Sequence, residues 1–341
     1  MSSPSLSTSA ATREITIAQA INEALAEELR RDDTVFLIGE DVAEAGHPFK
    51  VLAGLVEEFG SERVLDSPIS EPGITGLGVG AAMTGLRPVV DIMFGDFLTL
   101  VMDQLANQAA KLRYMSGGQV ELPIVYFTGT GPSGSAAAQH SENPHPMIMN
   151  VAGLKVVMPS TPFDAKGLMI AAIRDNSPVV YFQDAVLGGK RGPVPEGPYE
   201  VPIGIGDVKR EGTDVTIVAI GATVPIALKA AATLEADGIS AEVVDPRTLV
   251  PMDHDLILGS VAKTGRLVVC DSARLTCSAA SEIAATVAER GFDLLKAAPL
   301  RVAWEDVPIP FSPVLEQRVL VNEDRVLEAA RRTIEGAKVG T

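Results

Sequence analysis

Three hundred and forty-one residues exceed one average domain, and this length favours two separate cores. Only 4 % of the chain is aromatic while 46 % is hydrophobic, so the cores must be built from Ala, Val, Leu and Ile among many glycines, as suits α/β layers. A formal charge of -16 would repel a phosphate backbone over most of the surface, which argues against nucleic acid as a partner.

Residues 1–13 are rich in Ser, Thr and Ala and lack an apolar or Arg-rich stretch, so they read as a disordered tail and not as a targeting peptide. Thr16 and Gln19 then form a capping-box pattern, and Ile17, Ile21, Leu25 and Leu29 repeat at helical spacing, predicting a first helix that ends near Arg31. The apolar runs 35–38, 88–93, 123–127, 155–158 and 179–182 predict strands buried on both faces of a parallel sheet, with helical segments between them. Gly and Pro crowd residues 188–200, the expected linker between a first domain at 14–187 and a second at 201–341. Beyond it, runs at 215–220, 241–244, 267–270 and 300–304 predict strands, and helices are expected near 224–236, 253–263, 278–290 and 323–335. Two doubly wound α/β domains result. No apolar run reaches the roughly 18 residues of a membrane span, so a soluble chain is expected. Cys270 and Cys277 have neither CxxC nor metal spacing and read as reduced thiols of a cytoplasmic protein.

Three stretches carry candidate chemistry. Residues 129–134, Gly-Thr-Gly-Pro-Ser-Gly, match the dinucleotide fingerprint after a predicted strand, but Pro144 and Pro146 interrupt the helix that such a fingerprint must open. A Gly-rich loop shaping a site is the better reading. Glu71 stands directly before Pro72, where a helix can begin, and by itself is better explained as a complement to the positive helix terminus. Gly73, Gly76, Gly78 and Gly80 then expose helix backbone to close approach by another element or subunit. His140 and His145 bracket Pro144 with no Cys or third His nearby, which argues against a zinc site.

Residues 66–82, DSPISEPGITGLGVGAA, resemble the signature of beta subunits of the thiamine-diphosphate-dependent pyruvate, branched-chain 2-oxo acid and acetoin dehydrogenases, relatives of transketolase. Further matches follow in order: Gly39-Glu40-Asp41-Val42, Asp103-Gln104, Ala138-Gln139-His140-Ser141, Asp245-Pro246-Arg247 and Asp306-Val307-Pro308-Ile309-Pro310, together spanning about 14–337. The resemblance implies an N-terminal pyrimidine-binding domain and a transketolase C-terminal-like domain. It gives Glu71 the role of hydrogen-bonding N1' of the cofactor's aminopyrimidine, so that the ring's own imino group can act as base. Met93 and Phe97 fall where the family packs that ring, and His140 where it lines the reacting end.

The same resemblance implies a structural potassium ion at Ile124, Ala172, Ile173, Asp175 and Ser177. It also implies an alpha2beta2 assembly with an alpha subunit, and acyl transfer to the lipoyl group of an acyltransferase. Gly-Asp-Gly, the motif that would hold magnesium and diphosphate, does not occur here, so the alpha subunit is expected to supply it. The substrate it implies is a 2-oxo acid or an acyloin such as acetoin. A two-chain transketolase-like carboligase and a non-catalytic stabilising subunit are the alternatives. The pattern departs from the family at Ser141-Glu142-Asn143-Pro144-His145, which leaves substrate identity open.

Overall fold

The computed structural model describes residues 12–336. Of the tail expected at 1–13, residues 1–11 lie outside the described residues, and Thr12 and Arg13 begin a strand. The chain divides into two compact units. One holds the residues up to Gly131 together with Met147–Ile203, and the other holds Pro132–Pro146 and the chain from Gly204 onward.

In the first unit the strands are β1 (Thr12–Thr16), β2 (Val35–Gly39), β3 (Val64–Asp66), β4 (Arg87–Phe94), β5 (Val125–Thr130), β6 (Lys155–Val157), β7 (Val179–Asp184) and β8 (Arg191–Pro195). Six of them pair in parallel in the order β6-β7-β5-β4-β2-β3. Runs such as Val179–Asp184 are buried at every position, which is why their sequences carry no alternation. The capping box is present: Thr16 Oγ1 accepts from the Gln19 amide at 3.1 Å, and Gln19 Oε1 accepts from the Thr16 amide at 2.9 Å. The helix it opens, Ile17–Arg31, packs against the helix Pro162–Arg174. That contact encloses Lys166, whose ammonium reaches Glu27 at 2.8 Å and Glu23 at 3.2 Å, partners that a fully buried charge requires.

Residues 188–200, expected as a linker, contain β8, which pairs antiparallel with β1. Gly192 and Val194 are buried while Arg191 and Pro193 are exposed, the pattern of an edge strand that tolerates proline. Residues 132–146, expected within the first domain, cluster instead with the second unit, because their side chains bond to it.

The second unit comprises β9 (Asp207–Arg210), β10 (Val215–Ala219), β11 (Ala241–Asp245), β12 (Thr248–Val250), β13 (Leu267–Arg274) and β14 (Leu300–Trp304). Five strands run in the order β14-β13-β10-β11-β9, all parallel except β9. Helices Thr223–Ala236, His254–Thr264, Ala279–Arg290 and Glu323–Glu335 stand close to the predicted positions. The core between sheet and helices is built from aliphatic side chains, among them Val215, Ile217, Ala227, Ala231, Val268 and Val302, together with the buried Trp304. No helix of the described residues is long and apolar enough to cross a membrane.

Candidate active site

The order in which strands are added to the first unit's sheet reverses between β2 and β4. From β2 the chain moves outward to β3, and from β4 it builds the other half through β5 and β7. Crevices at the carboxyl ends of strands flanking such a reversal are where α/β sheets bind ligands. Glu40 follows β2 at this end, and Met93 is the next-to-last residue of β4. Burial first, then the charges of Asp41, Glu71 and Asp91, push the Glu40 carboxyl above the usual range, so Glu71 lies within electrostatic reach of this end of the sheet.

Glu71 opens the helix Glu71–Met83, with Pro72 in its first turn and Glu71 itself half-buried. This helix packs on β4 and against the 3-10 turn Gly95–Val101 that carries Phe97. Gly78 makes that approach possible: a Cβ there would lie 2.6 Å from Val90 Cγ2 and 3.1 Å from Ile124 Cδ1. Elsewhere on the helix Leu77, Gly80 and Met83 are exposed.

Met93 is half-buried and adopts a left-handed backbone, φ 57°, uncommon for a residue with a long side chain. Asp91 holds it there, its Oδ1 accepting from the Met93 amide at 2.6 Å. The other Asp91 oxygen faces His47 Nε2 at 3.5 Å. His47 Nδ1 accepts from the Phe49 amide at 3.2 Å, which leaves Nε2 to carry a hydrogen toward Asp91. Burial pushes the Asp91 carboxyl up, opposed by His47 and the Met93 amide. Gly39 leaves room for this pair, since a Cβ would meet Asp91 Cβ at 2.8 Å. Phe97, Phe94 and Phe49 continue edge to face from Met93's strand, at centroid separations of 5.6 and 5.8 Å. His47 and Asp91 are absent from the residues singled out in the sequence, although a charged residue inside the apolar run 88–93 is a visible signal.

Glu71, Met93 and Phe97 thus sit on neighbouring elements of one unit, whereas His140 belongs to the other. His140 is half-buried in the segment Pro132–Pro146, and the Gly-rich stretch before it opens no helix until His145–Met149. His145 does not turn toward a metal site. Its Nε2 lies 2.9 Å from Asp271 Oδ1, both side chains being fully buried.

The five positions expected to hold potassium gather at the start of β5 and around the end of the helix Pro162–Arg174. Ile124 O already accepts from the Val179 amide at 2.9 Å. Arg87 donates to Ile173 O at 2.9 Å and Asp175 O at 3.2 Å, while Lys155 pairs with the Asp175 carboxylate and Arg113 donates to Ser177 Oγ at 2.7 Å. All-oxygen donors suit a hard cation. Here, however, three basic side chains already occupy that end, and their charge opposes a further ion, so the fit is partial.

A transketolase pyrimidine-binding domain model matches residues 13–184 and a transketolase C-terminal domain model matches residues 204–326, which together define the class of the fold. A solved structure, a split-gene transketolase described as an inactive beta4 tetramer, superposes with a TM-score of 0.77 at 23 % identity, covering 95 % of this chain and 99 % of that one, a likeness of fold. The acetoin:2,6-dichlorophenolindophenol oxidoreductase subunit beta of Bacillus subtilis strain 168 is 49 % identical over 92 % of this chain and 96 % of its own length. The pyruvate dehydrogenase E1 component subunit beta of Rhizobium meliloti strain 1021 is 45 % identical over 93 % and 69 %. The chain belongs to the beta-subunit family of thiamine-diphosphate-dependent 2-oxo acid and acetoin dehydrogenases.

Proposed function

We propose that the chain activates the aminopyrimidine of thiamine diphosphate within an alpha2beta2 enzyme that decarboxylates a 2-oxo acid or cleaves acetoin. The observation that carries this reading is Glu71, which opens a helix at the carboxyl ends of the parallel strands, next to the elements bearing Met93 and Phe97. Bound cofactor supplies a carbanion-forming ring that accepts the acyl unit. Glu71 offers a carboxylate acceptor to N1', and the low-polarity side chains of Met93 and Phe97 strengthen that hydrogen bond by excluding water. Met93 suits the role because Asp91 fixes its backbone and a thioether packs favourably on a flat ring.

His140 acts at the reacting end, binding the substrate's carboxyl or carbonyl oxygen and moving a proton as the acyl group passes to the lipoyl group of a separate acyltransferase. The alpha subunit holds magnesium and diphosphate, a division supported by the lack of Gly-Asp-Gly in these 341 residues. It docks on the face of Leu77, Gly80 and Met83, where small and apolar residues favour close packing over water. Potassium plays no part in the chemistry. At Ile124, Ala172, Ile173, Asp175 and Ser177 the ion would be structural and in competition with Arg87. Cytoplasmic residence accords with two unpaired cysteines.

Glu71→Gln in the complex tests the reading, because an amide is a far weaker partner for a protonated N1' than a carboxylate. Turnover should fall on the order of a hundredfold or more with the fold retained. Turnover within a few fold of wild type rules the carboxylate role out.

A further inference from the structure

The segment that departs from the family pattern, 141–145, places polar side chains at three of its last four positions, and each is fixed to the same strand. Glu142 forms a two-pronged ion pair with Arg274, the Arg274 Nη2 to Oε1 arm measuring 2.7 Å. Asn143 Nδ2 donates to the Ser272 carbonyl at 2.6 Å. His145 meets Asp271 Oδ1, and the second Asp271 oxygen accepts from the Ala280 amide at 3.1 Å, in the first turn of the helix Ala279–Arg290. The partners Arg274, Ser272 and Asp271 all lie on β13, so the segment runs antiparallel along that strand. Glu142 and Arg274 are partly exposed, Asn143 is 5 % exposed, and His145 and Asp271 are fully buried. Polar side chains removed from water to this degree persist only with partners in good geometry. Pro144 and Pro146 fix backbone torsions on either side of His145 and reduce the freedom left to the segment.

We infer that Glu142, Asn143 and His145 are positioning residues that set the reach of His140, with the buried His145–Asp271 pair as their anchor. This rests on the reading of His140 under the proposed function. His140 stands two residues before Glu142, so its placement is inherited from β13 and from the helix that follows. Misplacing a reacting group by about 1 Å is enough to cost on the order of a hundredfold in rate. His145 and Asp271 are fully buried, out of reach of a bound substrate or cofactor. Their effect must therefore pass through His140.

That requirement gives the test. The alpha–beta complex is prepared as wild type, His145→Ala, His145→Gln, His140→Ala and the double variant His140→Ala/His145→Ala, and turnover is measured with pyruvate and with acetoin at varied thiamine diphosphate. His145→Ala should lower turnover at least about tenfold while shifting the cofactor half-saturation less than about twofold. His145→Gln, which keeps an N–H donor toward Asp271, should recover part of the loss. In the His140→Ala background the second substitution should add nothing, because non-additivity marks residues acting as one unit. A His145→Ala complex with wild-type turnover, or losses that multiply in the double variant, overturns the inference. If His145→Ala does not assemble, Asn143→Ala and Arg274→Gln take its place, with a loss expected only where His140 is present. Wild-type turnover in both overturns it equally. If His140→Ala alone keeps turnover within a few fold of wild type, the reading of His140 fails and takes the inference with it, a result distinct from a silent His145.

Discussion

Replacing Asp91 by Ala should destabilise the first unit and loosen its hold on the cofactor ring together. The carboxylate is 5 % exposed and accepts from the Met93 amide at 2.6 Å. A hydrogen bond contributes about 0.5–1.5 kcal/mol and leaving a buried donor unsatisfied costs about 1–3 kcal/mol, so a net loss of about 3 kcal/mol is expected. Met93, held at φ 57°, would relax toward an ordinary backbone once its acceptor is gone, and His47 would lose the group it faces. With a urea m-value of about 3 kcal/mol/M, such a loss lowers the unfolding midpoint by about 1 M. Far-UV circular dichroism at fixed protein concentration reads the midpoint, and titration of the alpha–beta complex with thiamine diphosphate reads the accompanying rise in half-saturation. A midpoint within about 0.3 M of wild type and unchanged half-saturation would refute the support assigned to Asp91.

Burial raises the Asp91 carboxyl, so the native state keeps its proton where the unfolded chain has released it. That stabilising contribution is complete at or below the ordinary carboxylate value of about 4 and is lost as pH rises through the raised value, so Asp91→Asn should gain on wild type in urea midpoint as pH rises above about 4. A difference that stays constant across this range counts against the assignment. The Cys270 thiol is buried and pushed up to about 12, whereas Cys277 is exposed. A thiol reagent at about pH 8 should therefore label one cysteine in the native chain and two in urea, and two labels on native protein would contradict the burial.

Local signals carried most of the fold. The Thr16–Gln19 box needs only residues three apart, and the mostly apolar strands of the first unit announce burial on both faces, so both were legible. Glu71 before Pro72 marked a helix start from spacing alone, while the role proposed for it came from the resemblance. What stayed hidden depends on pairing across long separations. β8 looks like a Gly/Pro linker until β1, at the other end of the first unit's sequence, lies beside it and pairs Thr12 with Pro195. The segment 132–146 looks continuous with β5, yet Asp271 and Ser272, far onward in the chain, hold it in the second unit. His47 and Asp91 are likewise ordinary loop and strand residues until the fold encloses them together.

The proposed division of labour gives this chain one half of a thiamine diphosphate site, a carboxylate and apolar side chains for the pyrimidine without the magnesium and diphosphate motif. Calorimetric titration with thiamine diphosphate and magnesium, first of the chain alone and then of the chain with its alpha partner, tests it most directly. Weak or undetectable binding and no decarboxylation are predicted for the chain alone, with tight magnesium-dependent binding and turnover once the partner is added. Tight magnesium-dependent binding and turnover by the chain alone would contradict that division.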